Sequence, residues 1–457
     1  MVPLHRRSGD HRHTLSRRQL LRLGGLGALA VGSTPLLTAC AGAGGGGGSD
    51  SLTFLADTRD AWAKLEAMGP QLQQELGFSF SMQHLQETPL RAKTGLELTA
   101  ARTEIDVLLT DFLQVPQFAQ NGSLYALDDD LATVSTFDRA DFRKPFLDAV
   151  TVDGKLYGLP ITQDCNILMY RADIFAELGL DVPQTMDELA AVAAEITEWG
   201  RGSGIVGFAA RGQRGVGISE WTWPCFLHAF GGRYYNDAAN GDLTPVLDSD
   251  EAITALDFYV KLLSTSGPSG AASYGPVEVQ NDFAQGKAAM ILDSATLGAE
   301  AENPEKSQVA GKLGYSVVPE GPAGRFPGFY TWVLTVPANS DSPSEAAKFI
   351  AWALAPERAT EVGFSAPNQA LAKTYGFPTY SGYDQAGSFL EAMQASLDMA
   401  DPDYRPRNAL AQEVGDIVSV AVSQAVAGQA APADALREAN RAIADVVAKA
   451  GDSVTGR

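Results

Sequence analysis

Residues 153–160 read Asp153-Gly154-Lys155-Leu156-Tyr157-Gly158-Leu159-Pro160, and residues 185–189 read Thr185-Met186-Asp187-Glu188-Leu189. The first holds a short apolar run, Leu156–Leu159, bounded by turn residues, which predicts a strand. The second is a capping box, in which the Thr hydroxyl and the Glu carboxylate satisfy free backbone N–H groups at a helix start. Behind it Leu189, Val192, Ile196 and Trp199 recur at helical spacing and predict one buried face. The same alternation continues in both directions. Strands are expected at Leu52–Leu55, Phe78–Met82, Ile105–Leu109, Ile205–Phe208, Ala288–Leu292, Gly314–Val318 and Val333–Val336. Further helix starts are expected where Asp248 and Glu251 precede Ile253, Leu256, Val260 and Leu263, and at Ser342-Pro343-Ser344-Glu345. Short strands alternating with longer helices predict an α/β fold.

The N-terminus predicts export. Arg6, Arg7, Arg12, Arg17, Arg18 and Arg22 form a basic region, and an apolar stretch rich in Leu, Gly, Ala and Val follows it to Leu37. These parts, in this order, make residues 1–39 a signal sequence. Ser16-Arg17-Arg18-Gln19-Leu20-Leu21 resembles a twin-arginine motif, and Leu37-Thr38-Ala39-Cys40 resembles a lipobox that would place a lipid on Cys40. The alternative reading is an uncleaved anchor, but the segment is short and Gly-rich against a span of about 20 apolar residues. Residues 40–50 are then the lipidated Cys and a flexible Ala/Gly/Ser spacer. The expected location is the outer face of the cell membrane, at the cell surface or in the periplasm.

Composition narrows the chemistry of the remainder. The 457 residues suffice for two or three lobes. The net charge is -21, and six Arg and one Asp fall before Cys40, so the part from Cys40 onward is more acidic still. Such a surface disfavours nucleic acid as a partner. Of five His only His84 and His228 remain after Cys40, which leaves a His-based zinc site or a Ser-His-Asp triad very little to work with. Cys165 and Cys225 stand in a compartment that permits pairing, and their spacing leaves open whether they meet. The nucleophile elbow, HExxH, phosphate-loop and dinucleotide fingerprints are all missing, so no cofactor, metal or catalytic group is expected. Asp128-Asp129-Asp130 reads as a solvated turn, and Asp237 to Asp242 as a hairpin tip.

An ordered set of strings remains. It comprises Ile105-Asp106-Val107-Leu108-Leu109, Gly122-Ser123-Leu124-Tyr125-Ala126-Leu127-Asp128, Asp153–Pro160 and Met169-Tyr170-Arg171-Ala172-Asp173-Ile174-Phe175. Gly179-Leu180 with Pro183-Gln184-Thr185 and Asp187-Glu188-Leu189 follows, then Gly231-Gly232, Phe283-Ala284-Gln285-Gly286-Lys287-Ala288-Ala289-Met290 and Ala435-Leu436-Arg437-Glu438-Ala439-Asn440. Together they resemble the family 1 extracellular solute-binding proteins, carbohydrate-binding receptors of ABC importers. Ala210-Arg211-Gly212, Gly267-Pro268, Asp401-Pro402 and Arg405-Pro406 are similar to the sorbitol/mannitol type. The resemblance implies a two-lobed, type II periplasmic-binding-protein-like fold with a multi-strand hinge and a ligand cleft between the lobes. It places one lobe at 50–163 plus 335–386 and the other at 164–334 plus 387–451. It further implies a monomeric receptor that hands a sugar or polyol to ABC permease subunits.

Hydroxyl-rich ligands call for carboxylates, amides and Arg, with aromatic rings as platforms. By strand-end position and family likeness, the candidate contacts are Asp111, Gln163, Asp164, Arg211, Trp221 as the platform, Asp293, Tyr330 and Trp332, with Trp223 in the core. The Trp that maltose-type relatives carry after the Ala-Met pair is replaced by Ala295-Thr296, which implies a smaller or more polar ligand. A receptor for a non-sugar solute and a secreted glycan-degrading enzyme are the competing readings.

Overall fold

The computed structural model describes residues 51–366 and 386–451. The signal sequence, Cys40, the spacer, and residues 367–385 of the expected first lobe lie outside the described residues. The strands in chain order are β1 (Ser51–Ala56), β2 (Ser79–His84), β3 (Val107–Asp111), β4 (Thr151–Val152), β5 (Lys155–Leu156), β6 (Gly158–Pro160) and β7 (Asp164–Arg171). There follow β8 (Val206–Ala209), β9 (Tyr235–Asp237), β10 (Asp242–Pro245), β11 (Ala288–Ser294), β12 (Leu313–Ser316), β13 (Phe329–Tyr330) and β14 (Trp332–Thr335).

They build two principal sheets. The first has the order β2-β1-β3-β14-β6, the second β12-β7-β11-β8 with β13 on β7. β1 runs parallel to β2 and β3, whereas β14 runs antiparallel between β3 and β6. Every residue of β3 is buried, as expected of a strand covered on both faces. Its one mid-strand polar group, Thr110, meets Thr335 of β14 hydroxyl to hydroxyl at 2.7 Å. On the first sheet, Phe54 packs edge-on against Trp62 (5.1 Å) and Phe349 (6.0 Å), carried by the helices Ala61–Ala67 and Pro343–Ala353.

The two sheets meet where the chain crosses between them. β6 passes into β7 through Ile161–Gln163, and β13 into β14 through Thr331 alone. The crossings are stitched together. Thr331 Oγ1 donates to the Thr162 carbonyl (2.7 Å), Trp332 N–H to Thr162 Oγ1 (3.1 Å) and Ile161 N–H to the Trp332 carbonyl (2.8 Å). A third segment joins them, with Ser365 N–H on the Ile161 carbonyl at 3.0 Å.

Several expectations are revised by packing. The run Leu156–Leu159 splits at Tyr157: Leu156 pairs with Thr151 in a small hairpin, while Gly158 and Leu159 join β14. Gly158 is required there, because a Cβ would lie 2.5 Å from Val333 Cγ1. β7, central to the second sheet, has no counterpart among the expected strands, since Asp164 and Asn166 break its apolar pattern. Asn166 is tolerated because Gly328 leaves it room and Cys225 Sγ donates to its Oδ1 at 3.2 Å.

The Thr185–Glu188 capping box forms as read, but Trp199 is 38% exposed. The buried face of that helix runs through Leu189, Ala193, Ile196 and Gly200. Ser249, not Asp248, caps the helix Asp250–Ser266, and Ser342 makes no side-chain cap bond. Asp128 to Asp130 open a short helix rather than a solvated turn. Asp128 accepts from Leu156 N–H (2.7 Å) and Asp130 from Tyr125 Oη (2.8 Å). Asp237 to Asp242 do form the tip of the β9–β10 hairpin. Cys165 and Cys225 are buried free thiols.

Candidate ligand-binding site

Strand register gathers the candidate residues at the crossing. In β14 Trp332 lies opposite Asp111 of β3, and in β13 Tyr330 lies opposite Asp164 of β7. Only Thr331 separates the two aromatic positions, so one turn of chain presents a ring to each sheet. Their rings meet edge to face at 5.7 Å, and Trp221 meets Tyr330 the same way at 6.1 Å. Trp221 comes from the helix Ser219–Ala229, which is buried along almost its whole length. Trp223 is fully buried in the core.

The carboxylates around these rings are each tied down. Asp111 accepts from Leu113 N–H (3.0 Å), pairs with Arg91 and lies 3.4 Å from Tyr330 Oη, which also accepts from Arg91 Nη2 (3.0 Å). Asp293 is fully buried and held by Arg211 through Nε (2.9 Å) and Nη2 (2.5 Å), and Arg211 Nη1 reaches the Gly217 carbonyl. Asp164 accepts from Ser294 Oγ (2.7 Å) and Cys165 N–H (2.9 Å). Burial pushes its carboxyl up to about 7, against the opposing pull of the Ser294 hydrogen bond and of Arg211. Gln163 is buried in the crossing, where its amide nitrogen donates to the carbonyls of Ser365 and Ala366. Seven of the eight expected residues therefore share one cluster, and Gln163 sits behind it as a strut.

Five charged groups complete the cluster without having been expected there. Arg59 pairs with Asp57, and Arg405 with Glu220 at 2.9 Å. Arg91 pairs with Asp111 as above. Asp57 stays below the usual carboxylate range: its burial works the other way, but the hydrogen bond and charge of Arg59 outweigh it. Burial would weaken Arg405's hold on its proton, yet the Glu220 charge alongside carries it above the usual value. The sequence does carry a signal for three of these, since Asp57 and Arg59 follow the first strand and Arg405 lies in a matched string. Arg91, inside an ordinary helix, carries none.

Each guanidinium also lies over an aromatic ring. Arg91 sits 4.8 Å and Arg59 5.6 Å from the Trp332 ring centre. Arg405 sits 5.6 Å and Arg211 6.0 Å from that of Trp221, and Arg405 is 5.8 Å from that of Tyr330. A separate groove of about 900 Å³ is lined by Gln117, Gln120, Tyr235 and Arg407, among others. It shares only Arg405 with the cluster. Among the described residues no group of three His, Cys, Asp or Glu could hold a metal ion, and no helix is long and apolar enough to cross a membrane.

Two α/β sheets joined by short crossing strands, with polar side chains converging at the crossing, define a two-lobed solute receptor of the type II periplasmic-binding-protein kind. Residues 92–360 match the profile of the bacterial extracellular solute-binding proteins, and the chain belongs to that family. Its role is that of the substrate-binding component of an ABC importer. The chain is similar to the mannitol-binding protein of Pseudomonas aeruginosa, at 27% identity over 80% of this chain and 86% of that one. It is also similar to the erythritol/L-threitol-binding protein of Mycolicibacterium smegmatis, at 25% identity over 76% and 79%. Among solved structures, a solute-binding protein of Agrobacterium vitis with bound D-mannitol matches with a TM-score of 0.73 and 27% identity, over 88% of this chain and 99% of that one.

Proposed function

We propose that this receptor captures an uncharged sugar or polyol and delivers it to its permease while tethered to the membrane through a lipid on Cys40. The observation that carries the ligand class is that every arginine of the cluster at the crossing is already paired with an acid. Arg59, Arg91, Arg211 and Arg405 are each matched by an acid, Asp57, Asp111, Asp293 and Glu220. A charged solute such as a phosphate ester would have to break a pair that leaves a buried partner uncompensated. Hydroxyl groups, by contrast, donate to the carboxylates and accept from the guanidinium edges with the pairs intact. The polyol ligands of the two relatives and of the Agrobacterium receptor support the same reading.

In this reading Asp111, Asp164, Trp221, Tyr330 and Trp332 share the ligand surface. Arg211 and Asp293 brace it, and Gln163 holds the crossing behind it. The lobes divide at 50–163 plus 335–386 and at 164–334 plus 387–451. The protein is exported by the twin-arginine route, acts as a monomer and carries out no catalysis. A lipid tether raises its effective concentration at the permease.

A thermal-shift screen of the full chain in detergent tests the ligand class. A sugar or polyol at a hundred times its dissociation constant adds about 2.7 kcal/mol of stability. If amino acids, phosphate esters or metal chelates move the transition and no sugar or polyol does, the proposal is wrong.

A further inference from the structure

We propose that His228 is a proton-operated clasp on the ligand site: on taking up a proton, its imidazole fastens the segment Asp401–Arg405 to the helix Ser219–Ala229 and tightens ligand binding. This rests on the sugar-or-polyol reading above and adds a control to the same site. The reason is a mismatch of donors and acceptors. His228 Nδ1 lies 3.1 Å from the Gly232 carbonyl oxygen, and Nε2 lies 2.9 Å from that of Tyr404. Both oxygens can only accept, and a neutral imidazole has one N–H to give. The imidazolium, with two, makes both bonds. In the neutral ring one nitrogen turns its lone pair toward a carbonyl oxygen, and that contact is repulsive. Gly232 is the fixed partner, since its N–H donates to the Leu227 carbonyl (2.9 Å) and a Cβ there would lie 2.4 Å from Leu227 Cδ1. The bond lost with the proton is therefore the one to Tyr404.

The surroundings decide where the ring titrates. His228 stands in the last turn of its helix, where unpaired carbonyls favour a cation. Burial pushes its pKa down from the usual 6.5, the two carbonyls and Asp401 pull it up, and Arg233 opposes them; the balance is downward, so the clasp works on the acid side of that value. The rings of Tyr234, Phe326 and Tyr404 pack around it, with centres 5.9 to 6.4 Å away. Burial pushes both phenols up, so they stay protonated throughout. Of the other charged groups that line the groove with His228, Arg407 is paired with Asp403 (2.7 Å), Arg405 with Glu220 (2.9 Å), and Asp237 accepts from Asn240. The groove gives the ring a route for proton exchange.

Two short links carry the effect to the ligand site. Tyr404 Oη donates to the Trp221 carbonyl. Arg405, the next residue, donates to Glu220 and lies 5.6 Å from the Trp221 ring centre and 5.8 Å from that of Tyr330. The segment is thus pinned to one helix at both ends, by Glu220 near the start and by His228 near the finish. Releasing the His228 end loosens the chain that positions Arg405 and Trp221, and that order must be restored when a ligand binds. By reciprocity, a bound ligand strengthens the hold of His228 on its proton by the same factor.

Calorimetric titration of D-mannitol, D-sorbitol, erythritol and maltose into the full chain, between about pH 4.5 and 7.5, tests this beside NMR titration of labelled histidine. The tightest of the four should bind at least about threefold more strongly at the acid end, and its presence should raise the His228 midpoint by about half a pH unit. His228→Gln should remove this part of the pH dependence, while any contribution of Asp164 is common to both proteins. Asp401→Asn, which keeps an acceptor for the Asp403 N–H, should move the step to lower pH. It serves if His228→Gln does not fold, and the histidine signal it displaces is that of His228. The same pH profile in parent and His228→Gln, a His228 midpoint unmoved by the bound probe, or a step that stays in place in Asp401→Asn overturns the inference and leaves the sugar-or-polyol reading standing. If none of the four probes binds at any pH, both fall.

Discussion

The Arg211–Asp293 pair sets a quantitative test of how the site is held. Asp293 has no exposed surface and Arg211 only 7%, and two parallel hydrogen bonds of 2.9 and 2.5 Å join them. Changing Arg211→Met leaves the Asp293 charge buried with its strongest partner gone and the Gly217 carbonyl without this donor. Breaking a buried pair from one side costs about 3–5 kcal/mol. Unfolding entropy of about 2.1 cal/mol/K per residue gives roughly 0.8 kcal/mol/K for a body of about 400 residues. The melting midpoint should therefore fall by about 4–6 °C. The double change Arg211→Met with Asp293→Leu removes both charges and should recover more than half of that loss, since apolar replacements of a buried pair are often neutral. Scanning calorimetry of the three proteins at one pH reads this directly. A single variant within about 1 °C of the parent, or a double variant worse than the single, would refute the claim that the pair is a buried, mutually dependent unit.

Two further outcomes follow from the geometry and one from the sequence. Burial pushes the Asp164 carboxyl up to about 7, above the 3.8 of an ordinary Asp, so the folded state holds its proton more tightly than the unfolded chain. Its contribution to stability is thus full below about pH 4 and lost as pH rises to about 7, and Asp164→Asn should flatten the fall of the midpoint between about pH 4 and 7. Gly328→Ala would place a Cβ 1.8 Å from Asn166 Oδ1, an overpacking that costs about 1–3 kcal/mol and should lower the midpoint by a few degrees. Cys40→Ala should move the protein from the membrane fraction to the soluble one, and continued membrane retention would count against lipidation.

What was legible in the sequence was what repeats. The capping box at Thr185, the buried run at Val107 to Leu109 and the family strings led to the α/β class and to seven residues of one cluster. Strand ends were informative because chain direction alone puts Asp111 and Asp293 where two sheets come together. The misses share a physical cause. β7 begins with Asp164 and Asn166, polar residues whose burial is made acceptable by Ser294, Gly328 and Cys225, all distant in sequence. Arg91 acquires meaning only from the ring brought beside it by folding. Trp221 and Trp332 were recognised as important from residue type, but their covering guanidinium groups could not be read from spacing.

The position of β14 has a consequence for how the chain is made. It is the fourth strand of the first sheet, between β3 and β6, yet it is supplied by residues 332–335, after every strand of the second sheet has been synthesised. On the ribosome, β2-β1-β3 and β6 must therefore wait as separate pieces with bare edges while about two hundred residues emerge. Such long-range closure is slow and leaves strands open to mispairing. A nascent chain of this design completes its first lobe late and all at once. An export route that moves finished molecules, as the paired arginines Arg17 and Arg18 suggest, would spare it from repeating that step outside the cell.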